Sequence, residues 1–356
     1  ILNENSPTLS YWETIFNRFV DGDTSFVDSL LIDSAQSFFY ELVIFNDTTL
    51  NKTFHLLREQ LDTSYVDYNI PEITSDDVVG GFRNGWGLFI INMDAAREQI
   101  LIQVPHPCDD FIAPYIALDL FFETDAFGFM IAGAGREVAW NEIGDYSNSK
   151  SISDPSRYPH TVFQKFQDAV TEPLIGVNPH WPLVFAIHSF DNQTHLERKP
   201  IIMAAGGQNP FTTKPIRDIT NDHFDIINFS EEYPIHINEF GSHDPLHVTE
   251  YYEVFFDDQC VYDNGEDEFP ITLASELKGP SNGVQMQALQ SQFNSLSVYE
   301  PWIHVELDEK PMLFDELNFA DDELYDDGTY PVGIQNFGIL RQFYYPFISA
   351  ILNYIN

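Results

Sequence analysis

Short apolar segments that stop abruptly at Gly or Pro constrain this chain more than any other feature. Trp86-Gly87-Leu88-Phe89-Ile90-Ile91-Asn92 reads as a buried strand, as does Ile100-Leu101-Ile102-Gln103-Val104, which ends at Pro105. Phe127 to Ala132 closes on Gly133-Ala134-Gly135, and Ile201 to Ala205 closes on Gly206-Gly207. Leu183 to Ile187 is a further strand, and Ala113 to Glu123 and His160 to Val170 read as helices among them. Uninterrupted apolar strands alternating with helices predict an α/β fold. The expected form is three layers, a mostly parallel mixed sheet with helices on both faces. In such sheets ligands bind just beyond the carboxyl ends of the strands.

The stretch from Ser10 to Leu61 has a different texture, aromatic and acidic, and is expected to form helices that pack as a cap or lid. Gly80-Gly81 marks the change, so the expected organisation is an N-terminal helical cap over 1–80 and an α/β catalytic domain over 81–356, or one continuous domain. A chain opening on Ile1 is expected to be trimmed or processed.

Charge narrows the function. The 356 residues hold 16 Lys and Arg against 56 Asp and Glu, a net charge of -40. Phosphate-rich partners are repelled by such a surface, which argues against nucleic acid and against anionic membranes. The longest apolar runs, such as Ile112 to Phe122, are too short to span a bilayer. A surface short of Lys and Arg fits a secreted or periplasmic protein, or one from saline surroundings. The aromatic share of 15% fits either an apolar core or a groove for sugar or peptide. Asn-x-Ser/Thr triplets begin at Asn46, Asn51, Asn192 and Asn228. The two cysteines, Cys108 and Cys260, allow one bridge or two free thiols.

Polar clusters sit at the expected strand ends. They are His106-Pro107-Cys108-Asp109-Asp110, then Gly133-Ala134-Gly135-Arg136-Glu137, then His188-Ser189-Phe190, and finally the alternating run Trp302-Ile303-His304-Val305-Glu306-Leu307-Asp308-Glu309. A His near a carboxylate, with a second His one or two strands away, is a zinc pattern. Zinc takes such N and O ligands and leaves a position open for water in catalytic sites. It lowers the pKa of that water and polarises a carbonyl. His106, Asp109 and His188 are the expected ligands, with Asp110 the competing carboxylate and an N-cap of the next helix the other role for either Asp. Glu306, with Glu309 as its rival, is the expected base, and Arg136 would hold a substrate carboxylate through two parallel hydrogen bonds. His160, in the loop from Asp154, is a further candidate substrate contact.

These residues carry a resemblance. His106-x-x-Asp109 followed by His188 resembles the His-x-x-Glu…His pattern of zinc carboxypeptidases and the related acylamino-acid deacylases, and Val305-Glu306-Leu307-Asp308 is similar to the strand bearing their catalytic glutamate. Pro105-His106-Pro107, Ala132-Gly133-Ala134-Gly135-Arg136 and Gly283-Val284-Gln285-Met286-Gln287 resemble segments of the N-formylglutamate amidohydrolase group. The resemblance runs from about Trp86 to Phe314 and departs at the acid, Asp here where the family has Glu. It implies a zinc exopeptidase-like scaffold, one zinc, and hydrolysis of an amide bond next to a carboxylate in a small-molecule or peptide substrate.

Other groups point elsewhere. His243 and His247 are four apart, but Pro245 between them argues against a metal-binding helix. Asp257-Asp258 and Asp321-Asp322-Glu323 read as solvated turns, with weak Ca²⁺ binding as the alternative. Cys108 with His106 as base would make a thiol hydrolase, but Asp109 and Asp110 beside it disfavour a thiolate. A binding protein without catalysis on the same scaffold is the reading from another class.

Overall fold

The computed structural model describes residues 5–33, 38–62, 82–135, 153–177, 182–190, 201–204, 254–256, 289, 302–308 and 337–356. They fall into two compact units, one of residues 1–109 and 125–182, the other of residues 110–124 and 183–356. The fold is α/β, with a mixed sheet and helices.

In the first unit, helices α1 (Pro7–Val20) and α2 (Thr24–Asp33) precede a hairpin of β1 (Tyr40–Asp47) and β2 (Lys52–Glu59). Strands β3 (Leu88–Asn92) and β4 (Arg97–Val104) follow, and after the excursion through residues 110–124 come β5 (Ala126–Ile131) and α4 (Val162–Thr171). The strand order is β1-β2-β3-β5-β4, antiparallel except for the β4–β5 pair. Helix α1 starts with Pro7 in its first turn and buries Leu9, Trp12, Ile15, Phe16 and Phe19, one stripe at helical spacing. That stripe meets an aromatic core. The Phe16 ring lies 4.8 Å from Phe89 and 5.2 Å from Phe166, and Trp12 lies 4.8 Å from Tyr40. Much of the aromatic content of this unit is therefore core.

In the second unit, α3 (Ala113–Glu123) packs on β6 (Leu183–Phe190) and on the C-terminal helix α5 (Phe337–Ile355). The remaining strands are β7 (Ile201–Ala204), β8 (Val254–Phe256) and β9 (Trp302–Asp308), in the order β6-β9-β7-β8. β6 and β9 run parallel, as do β7 and β8, while β7 and β9 are antiparallel.

Two expectations are corrected. The segment expected to complete a helical cap is a β-hairpin from residue 40 to 59, and its strands continue the sheet through β3. The reason is local. Val43 and Ile44 are β-branched and Phe45 is aromatic, and Asp47 turns the chain by accepting from the Thr49 and Leu50 N–H groups at 2.7 and 2.9 Å. Second, among the described residues the strand pairs are mixed, four antiparallel and three parallel, where a mostly parallel sheet was expected. A connection as short as residues 48–51 joins only antiparallel neighbours, and β7 enters against β9. Among the described residues no helix is long and apolar enough to cross a membrane.

Gly133, in the turn after β5, and Gly87, before β3, are set by close packing against each other. A Cβ on Gly133 would lie 2.7 Å from the Gly87 nitrogen, and one on Gly87, whose φ is +112°, would collide with the Ile131 carbonyl.

Helix α4 carries a titrating carboxylate. Thr161 caps it by accepting from the Gln164 N–H at 3.0 Å, and Lys165 reaches Glu13 of α1 at 2.9 Å. Burial pushes Asp168 up to about 6, with Glu172 and Glu13 adding to the rise, although Gln164 donates to it at 2.7 Å. The folded state therefore holds a proton on Asp168 that the unfolded chain has lost between about pH 4 and pH 6. Stability from this group falls as pH rises through that window and stays lower above it. Asp168→Asn keeps the acceptor for Gln164 and removes the charge. It should gain on the order of 1–2 kcal/mol at pH 7.5 and nothing at pH 4, measured by urea unfolding. Equal gains at both pH values would rule out the ionisation as the cause.

A candidate metal centre

The loop after β4 builds the first part of the site. Val104 ends the strand, and the Asp109 N–H donates to the His106 carbonyl at 3.1 Å, so residues 106–109 form a tight turn. The Ala113 N–H then donates to the Asp110 carbonyl at 3.2 Å as α3 begins. His106 and Asp110 are buried, Asp109 is half-buried, and Cys108 is exposed.

His106 has a carboxylate of its own. Its Nε2 lies 3.0 Å from Asp154 Oδ1. Asp154 is buried in the turn before α4 and also accepts from the Ser156 N–H at 2.9 Å. Burial alone would raise the Asp154 carboxyl, but the hydrogen bond and charge of His106, the Ser156 N–H and Arg157 outweigh it and hold it below its ordinary value. The carboxylate thus engages Nε2 of the His106 ring.

In the second unit, His188 Nδ1 lies 2.8 Å from Asp110 Oδ2. The parallel register of β6 and β9 sets His188 opposite Glu306 and Ala186 opposite His304. Trp302, His304 and Glu306 alternate along β9 and share its face. His304 Nε2 is 2.8 Å from Glu306 Oε1, and its ring centroid is 4.4 Å from that of His188. Each of the three imidazoles is thus paired with a buried carboxylate.

His106, Asp110 and His188 are buried and offer ligand atoms that all lie within 4.8 Å of one another. Two imidazoles and one carboxylate are a donor set that zinc accepts, and so does iron(II). A carboxylate bonded to the non-ligating nitrogen of a ligand imidazole fixes the ring's tautomer and orientation, and Asp154 is the carboxylate bonded to His106.

The sequence-based residues fare unevenly. His106 and His188 are brought together, but the carboxylate grouped with them is Asp110, the competitor of the expected Asp109. Residues 106–109 form a tight turn, and Asp110 follows it. Glu306 is buried on β9 opposite His188. His160 is half-buried, its ring 5.5 Å from Tyr158, in the same loop as Asp154. Cys108 is exposed, yet local desolvation and the charge of Asp109 raise its thiol, which disfavours the thiolate a Cys nucleophile needs. Arg136, Glu309, Cys260, the run 283–287, His243, His247, Asp257-Asp258 and Asp321 to Glu323 lie outside the described residues, as do Asn192 and Asn228. Two groups were missed. Asp154 is 48 residues from the ring it holds, and no spacing points to it. His304 was legible only as part of an alternating run.

No family model matches the chain, and neither the curated proteins nor the solved structures contain a match.

If Asp154 orients His106 as a ligand, Asp154→Asn should weaken zinc retention by about 10- to 100-fold in competition with a chromogenic chelator. Unchanged retention would show that the Asp154–His106 pair has no part in metal binding.

Proposed function

We propose that this chain is a zinc-dependent hydrolase. It cleaves an amide bond next to a carboxylate, in the manner of a carboxypeptidase or an N-acyl-amino-acid deacylase, on a zinc exopeptidase-like scaffold. The observation that carries the reading is the buried His106–Asp110–His188 group with Glu306 beside His188 in register. When bound, zinc would supply a Lewis acid for the substrate carbonyl and for the attacking water.

The chain's own residues have separate tasks. His106, Asp110 and His188 would hold the metal, and Asp154 would keep the His106 ring in its ligating orientation. Glu306 Oε2 would take a proton from the attacking water and pass it to the nitrogen of the leaving amine, so that the C–N bond breaks as a neutral amine departs. Burial of Glu306 suits this task, because excluded water does not compete for the proton. Arg136 and His160 remain the proposed contacts for the substrate's carboxylate. The acidic surface supports a secreted or periplasmic setting.

Metal analysis of the purified full chain tests the reading. About one zinc per chain is expected, lost in His106→Ala and His188→Ala. Turnover of N-acyl amino acids should cease with a chelator, return with added zinc, and survive alkylation of the thiols. Iron in place of zinc would move the reading to another reaction class. A metal-free protein indifferent to chelators would sink it and leave the chain a binding role.

A further inference from the structure

We propose that His304 is a positioning residue that fixes the Glu306 carboxylate for proton transfer; this rests on the hydrolase reading above. Three observations in the second unit support it. First, His304 Nε2 sits 2.8 Å from Glu306 Oε1 and both side chains are buried, so with Glu306 ionised the ring N–H donates to that oxygen. Oε1 is thereby committed, and Oε2 is left as the oxygen that exchanges a proton.

Second, the ring that donates is itself held. Its centroid is 4.4 Å from that of His188, tilted by 35°, and 5.6 Å from that of Trp302, tilted by 32°. The strand neighbour opposite it on β6 is Ala186, so no large side chain there competes for the space. A ring restrained in this way transmits its orientation to the group it hydrogen-bonds.

Third, the other nitrogen has no competing task. Among the described residues, His304 Nδ1 is buried without a hydrogen-bond partner, and His304 does not belong to the group of potential metal ligands. Among the described residues, the one polar contact of this imidazole is the one to Glu306. A ring kept in the sheet for its packing alone would leave nothing to distinguish Nε2 from Nδ1, and that distinction is testable.

The experiment uses the zinc-loaded full chain, a panel of N-acetyl and N-formyl amino acids, and the variants His304→Gln and His304→Asn. The Gln amide nitrogen reaches the place of Nε2, and the Asn amide nitrogen reaches that of Nδ1. Both variants should bind zinc as tightly as the parent in chelator competition. His304→Asn should lower kcat by about 10- to 100-fold with KM within twofold, the cost of a reacting group misplaced by about 1 Å. His304→Gln should recover most of kcat. Equal losses in the two variants, no loss in either, or zinc lost from either with the fold intact by circular dichroism would each overturn the inference. A parent that binds zinc but hydrolyses none of the panel would overturn the hydrolase reading and this inference with it. A parent that turns over while both variants match it would overturn this inference alone.

Discussion

A slip of one residue between β6 and β9 would dismantle the candidate site. The register that sets His188 opposite Glu306 also sets Ala186 opposite His304 and Val184 opposite Trp302. Side chains alternate between the two faces of a strand, so a single-residue shift sends one strand's set to the other face. What resists the slip is apolar. Ile303, Val305 and Leu307 on the opposite face of β9, with Phe185 and Ile187 on β6, are buried and would have to trade places with imidazole and carboxylate groups. The polar face is thus held in register by the greasy one behind it. Burying a leucine-sized side chain contributes about 1.5–3 kcal/mol.

The same burial gives the carboxylates of the site a character unlike that of the many on the surface. The net charge of -40 is largely a matter of missing Lys and Arg, and exposed carboxylates are hydrated at little cost. Asp110, Asp154 and Glu306 have given up that hydration, and each has taken an imidazole instead. An ion pair or strong hydrogen bond offsets such desolvation only when its geometry is good. The three contacts of 2.8 to 3.0 Å meet that condition.

Local signals were legible where local physics decides. Helix α3 could be read from Ala113 to Glu123, because Pro114 suits a first turn and the apolar run that follows has nothing to break it. Strand β4 ends where Pro105 would interrupt a ladder, and β5 ends at the glycine turn. Reading failed where tertiary context decides. Nothing in Ser10 to Leu61 separates a second pair of helices from a hairpin except β-branched content and one Asp turn, and these decided in favour of β1 and β2. The identity of the carboxylate was open because adjacent aspartates differ only in which way a turn points them. His304 looks like any polar residue of an alternating strand until the fold sets it between His188 and Glu306.

A structural explanation for the three pairs has to meet one difficulty. Buried ion pairs are weak contributors to stability, and apolar residues of similar volume often serve a core as well or better. The neighbouring positions show that this chain has such residues to hand, since Ile187, Val305 and Leu307 fill the alternate positions of the same two strands. If stability were the only demand on positions 188, 304 and 306, leucine, isoleucine or valine would meet it without three separate geometric requirements. The cost is easier to understand if the group must bind something that apolar side chains cannot. Two imidazoles and a carboxylate within 4.8 Å of one another, with a second carboxylate in register, match what a divalent cation and a proton-transfer step require.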